Sequence, residues 1–91
     1  MKAKEQAVVT VVGRNDIGIL ACVATKIAEA RASIVQVSQL VMDEFFTMTM
    51  LIDIAGMKGD IQGLEAALKE KLPGMEIHVM HENIFSSMHS I

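Results

Sequence analysis

The chain has no tryptophan or tyrosine, one proline and one cysteine among its 91 residues. Each scarcity excludes something. Cys22 on its own can form no disulfide within the chain and no paired-thiol metal site. Phe45, Phe46 and Phe85 are the only aromatic residues, so a sheet stacked with exposed rings for RNA bases is not available. The eight Lys and Arg are scattered and the formal net charge is -3, which leaves no basic footprint for nucleic acid or an anionic membrane. No apolar run approaches the roughly 20 residues that cross a bilayer. Nor does the N-terminus show a basic region followed by a long apolar stretch, so the expected location is cytoplasmic.

What is abundant is aliphatic. Hydrophobic residues make up 52% of the chain, and eight of them are methionine, so the core must be built from Val, Ile, Leu, Ala and the adaptable thioether. The length suits a single domain over residues 1–91. A chain of this size buries roughly two thirds of its unfolded surface, a thin margin that dimerisation would widen.

Ala7 to Val12 (AVVTVV) is β-branched and almost wholly apolar, the pattern of a central strand. Gly13 to Gly18 (GRNDIG) is rich in turn formers, with Asn15 or Asp16 placed to cap the helix that follows. Apolar residues then recur from Ile17 at Leu20, Ala21, Val23, Ala24, Ile27 and Ala28, the spacing of a helix with one buried face. No glycine closes that helix near Ala30 to Ala32, so Arg31 takes the closing position at some cost. Ile34 to Met42 reads as a strand whose broken parity suggests a bulge. Asp43 and Glu44 reverse the chain, and Phe46, Met48, Met50, Ile52 and Ile54 then alternate cleanly with smaller or polar residues. Asp60 can cap a second helix carrying Ile61, Leu64, Ala67, Leu68 and Leu72 inward, and Pro73 and Gly74 end it. Met75 to Met80 forms the last strand. Ile84, Phe85, Met88 and Ile91 give the tail a helical apolar spacing.

The order is βαββαβ with a short C-terminal helical tail. This predicts an α+β, ferredoxin-like fold: a four-stranded antiparallel sheet with both helices on one face. The opposite face, with Leu51 and Met80 beside Thr and His, is left for a second copy to cover, or the sheet edge for it to extend.

The stretch that looks like a site is GRNDIGIL, Gly13 to Leu20. Unpaired N–H groups and the positive dipole end at a helix start receive carboxylates, and Gly18 allows close approach to the backbone. From residue types alone, the blander role is favoured: Asn15 and Asp16 as a cap, Gly18 as packing. The wider pattern weighs against it. VVTVVGRNDIGIL, ASIVQVSQ, FFTMTMLIDI and the HENIF tail together resemble the ACT domain, a small-molecule-binding regulatory module, and most closely the free-standing single-domain ACT proteins related to regulators of glycine cleavage.

The resemblance implies an amino acid or similar metabolite bound between two domains of a homodimer. Asn15, Asp16, Ile17, Gly18, Ile19 and Leu20 would form the ligand loop. Ser33, Ile34, Val35 and Gln36 of the other domain would complete the pocket. Many members carry Pro before the loop glycine, where this chain has Ile17, which leaves the loop less preorganised. Ser33 stands where Asn is common, shortening the polar reach.

Competing sites are weaker. Cys22, one turn into the first helix, reads as a buried, inert thiol. His78, His81 and His89 with Glu82 have no spacing of a closed metal site, and His78 and His81 would point to opposite faces of a strand. The Met residues of the alternating strand read as core. No nucleophile–base constellation, phosphate-cradling loop or carboxylate pair appears. The reading is therefore a regulatory domain and not an enzyme, with no catalytic residue, no cofactor and no metal. It modulates a metabolic enzyme or regulator as its partner. The alternative is a ligand-independent protein-interaction adaptor of the same fold.

Overall fold

The computed structural model describes residues 5–88. His89, Ile91 and the side chain of Met88 lie outside the described residues. The elements are β1 (Gln6–Arg14), α1 (Ile19–Glu29), β2 (Ser33–Met42), β3 (Phe45–Asp53), α2 (Ile61–Lys71), β4 (Glu76–His81) and α3 (Glu82–Met88). The four strands form one antiparallel sheet in the order β2-β3-β1-β4, the ferredoxin-like arrangement anticipated above.

Parity decides which residues enter the core. Val9 and Val11 of β1, Phe46, Met48, Met50 and Ile52 of β3, and Ile77 and Val79 of β4 are all buried. Ile19, Val23 and Ile27 of α1 cover them, with Leu64 and Leu68 of α2. Among the described residues no polar side chain is buried, so the core they form pays no desolvation cost.

The caps differ from one helix to the other. Asp60 caps α2 as anticipated: its Oδ1 accepts from the Gly63 N–H at 2.8 Å. Neither Asn15 nor Asp16 caps α1, contrary to expectation. The N-cap is Gly18, left-handed at φ 81, and no side chain caps the helix. The reason is that β1 does not stop at Gly13. It continues through Arg14, which pairs with Phe45, and the helix start moves to Ile19. Ile17, read as the first inward residue, is instead 99% exposed ahead of the helix. Leu20, Ala21 and Ala28 also lie outside the buried stripe, which narrows to Ile19, Val23 and Ile27.

At the other end, the N–H of Ala32 donates to the Ile27 carbonyl at 3.1 Å and that of Arg31 to Ala28 at 3.0 Å. This is a Schellman closure, with Arg31 at φ 68 in the position glycine usually takes. The bulge in β2 is present: the register shifts between Ile34 and Gln36.

Among the described residues, the second face of the sheet carries neither α1 nor α2. Its registered rows include Leu40, Thr47, Val12 and Glu76, then Ser38, Thr49, Thr10 and His78, then Gln36, Leu51, Val8 and Met80. α3 touches β1 and β4. Val8 is buried there, and Phe85 is half-buried. At the hairpin end, Leu40, Met42 and Phe45 are each about three-fifths exposed.

Candidate functional site

The β1–α1 loop is held by two contacts to the tip of the β2–β3 hairpin. The Asn15 N–H donates to the Glu44 carbonyl at 2.8 Å, and Arg14 Nη1 donates to Glu44 Oε1 at 2.9 Å. The ion pair is well exposed, so it adds little stability; its effect is to set where the loop starts. Asp16 Oδ1 accepts from the Ile17 N–H at 2.7 Å, which turns the chain toward Gly18. The left-handed Gly18 then opens α1, and a Cβ built on it would meet nothing within 4 Å. Its backbone is therefore open to approach, but its positive φ disfavours any other residue.

The first N–H groups of α1 have no intrahelical partner, no capping side chain and no acidic residue in the first turn. They form a donor set beside a groove of about 580 Å³, within the size range of small-molecule sites. Arg14, Asn15, Asp16, Ile17 and Ile19 line one wall, and Lys71, Leu72, Pro73, Gly74 and Met75 the other. Gly13 sets how closely the walls meet: a Cβ there would lie 2.6 Å from Met75 Sδ. The Met75 wall was not legible from the sequence. Two loops more than 50 residues apart make this concavity, and nothing in either alone announces the other.

The anticipated second group of site residues lies elsewhere. Ser33 pairs with Asp53, and Gln36 with Leu51, which faces Val8. Ser33, Ile34, Val35 and Gln36 are therefore at the opposite end of the sheet from Arg14, about 20 Å (Gln36) to about 27 Å (Ser33) away along the strands at ~3.4 Å per residue. All four are exposed on the edge strand. One chain does not bring the two groups together.

The other candidates are dispersed as well. Cys22 is a half-buried free thiol. His78 shares the open-face row with Thr10, whereas His81 pairs with Ala7 of the helix-side core and its Nε2 lies 3.6 Å from Glu5 Oε2. Among the described residues, no three His, Cys, Asp or Glu side chains are grouped to hold a metal ion. Also among the described residues, no helix is long and apolar enough to cross a membrane.

An order of strands and helices shared by many proteins gains meaning from sequence likeness. The ACT domain profile matches residues 5–82. A UPF0237 protein of Methanococcus maripaludis is 46% identical over 90 residues, covering 96% of this chain and 99% of that protein. A solved structure described as an ACT domain protein from Streptococcus pneumoniae superposes with a TM-score of 0.74 at 35% identity, over 91% of this chain and 96% of that one. A putative glycine cleavage system transcriptional repressor shares the fold, with a TM-score of 0.69 at 21% identity over 88% of this chain and 47% of its own. The chain belongs to the ACT domain family, a family of regulatory domains. Within it, the UPF0237 relative has about the same length as this chain.

Proposed function

We propose that this chain is a non-catalytic cytoplasmic regulator that works as a homodimer, binds an amino acid at the β1–α1 loop, and passes its ligand state to a metabolic enzyme or regulator. One observation carries the reading: the uncapped, left-handed entry to α1 at Gly18 opens beside a groove that already holds Asn15 and Asp16. A helix that needed only local stability would place a side-chain acceptor at that entry, as α2 does with Asp60. Here the donors are left for a carboxylate from outside.

The dimer supplies what one chain lacks. Ser33, Ile34, Val35 and Gln36 reach the loop only from a partner copy, and β2 is suited to meet one. It is an edge strand of ten exposed residues, without a charge or proline among them, and such an edge pairs readily. A ligand that favours one arrangement of the pair then shifts the population that the regulated partner meets. Asn15→Ala and Gly18→Val should each weaken amino-acid binding about tenfold or more, read by calorimetry. Unchanged affinity in both would place the site elsewhere.

A second reading, a ligand-independent adaptor, draws on the exposed apolar surface of β2 and on Ile17. A partner protein retained equally with and without free amino acids would favour it.

A further inference from the structure

The groove has a charge pattern of its own. Arg14 enters from the end of β1 and Lys71 from the last residue of α2, so two cations stand on opposite walls. Asp16 is the one carboxylate lining it, and Ile19, Leu72 and Met75 are among the apolar residues between. Arg14 uses one Nη1 donor on Glu44, and a guanidinium has five N–H donors in all. Asp16 uses one oxygen on the Ile17 N–H, and a carboxylate has about four acceptor positions.

We infer that the groove selects an amino acid carrying a second carboxylate, of the glutamate or aspartate class. The match is by charge and by free donors: Lys71 and the Arg14 donors that Glu44 leaves free meet two carboxylates, and Asp16 meets one ammonium. Arg14, at the end of β1, and the first N–H groups of α1 take the α-carboxylate, and Asp16 takes the α-ammonium. Lys71, across the groove, takes the side-chain carboxylate, and the ligand's methylenes lie against the apolar residues between. Arg14 suits the α-carboxylate because its planar fork meets a carboxylate with two parallel hydrogen bonds. Lys71 suits the side-chain carboxylate because its ammonium is a mobile point charge that tolerates side chains of different length. This inference rests on the reading of the loop as an amino-acid site, and it adds the ligand's side-chain chemistry and the α2–β4 wall.

The test is calorimetric titration of the full chain with L-glutamate, L-aspartate, L-glutamine and glutarate at one fixed ionic strength, on the wild type, Lys71→Gln and Asp16→Asn. The ligand-free melting temperature of each variant checks that it folds. L-glutamate or L-aspartate should bind the wild type about tenfold or more tightly than L-glutamine, since a charge-assisted contact is lost in the amide. Lys71→Gln should bring that ratio close to one. Asp16→Asn should weaken L-glutamate while leaving glutarate, which has no ammonium, unchanged. L-glutamine or another neutral amino acid binding as tightly as the acidic ones would overturn this inference and leave the amino-acid reading standing. Selectivity for the acidic amino acids that survives Lys71→Gln would overturn the assignment of Lys71. Binding by no amino acid at all would overturn both readings.

Discussion

Arg31 shows a single residue held against its preference. The Schellman closure of α1 needs a left-handed residue, and an L side chain there costs roughly 1 kcal/mol. Arg31→Gly should therefore raise stability by up to about 1 kcal/mol, less what glycine adds to unfolded-state entropy, read as a higher melting temperature without any change in ligand response. Glu65 works the other way. Its Oε1 accepts the Val79 N–H at 2.7 Å, an amide on the outer side of the edge strand β4, and its Oε2 meets Lys69 at 3.2 Å. The Val79 hydrogen bond, chiefly, holds the Glu65 carboxyl below its ordinary value of 4.5; partial burial opposes this and Lys69 assists. Because the folded pKa is the lower one, the contribution is present above the ordinary value and is lost as pH falls past it toward the folded value. Glu65→Gln should cost about 1 kcal/mol at pH 7 and flatten the acid limb of stability below pH 5. Equal acid sensitivity in both proteins would contradict this.

At the scale of elements, the strands and α2 were legible because their signals are local. The alternation from Phe46 to Ile52, the Asp60 cap and the broken parity at Val35 each fix a feature from neighbours in sequence. The start of α1 was not legible. Its position depends on Arg14 pairing with Phe45, and on Glu44 receiving both Arg14 and Asn15 across 30 residues or so. The candidate loop itself was visible from Asn15, Asp16 and Gly18, but its facing wall from Lys71 to Met75 was not, since chain distance hides it. The edge strand β2 carries the next prediction. Leu40→Lys puts a charge on its exposed apolar surface and should shift a dimer toward monomer in sedimentation at micromolar concentration while the fold is kept. A wild-type chain that is monomeric throughout that range would contradict the dimer.

For the molecule as a whole, two features are held apart within one chain. The donor-rich loop and groove lie at one end of the sheet, and Ser33 to Gln36 lie at the other. In the proposed homodimer a two-fold assembly would bring copies of the two ends together, so that ligand binding and dimer geometry would be one equilibrium. The apolar hairpin end, with Leu40, Met42 and Phe45, adjoins Glu44, which holds the loop; in the proposed regulator this is the surface through which a shift in the loop would reach a partner. The most direct measurement is a thermal-shift panel of the chain against each common L-amino acid, since a ligand selective for the folded state raises the melting temperature by mass action. A selective rise is expected for a small subset of amino acids, lost in Asn15→Ala; a flat response across the panel would contradict amino-acid sensing and favour the adaptor.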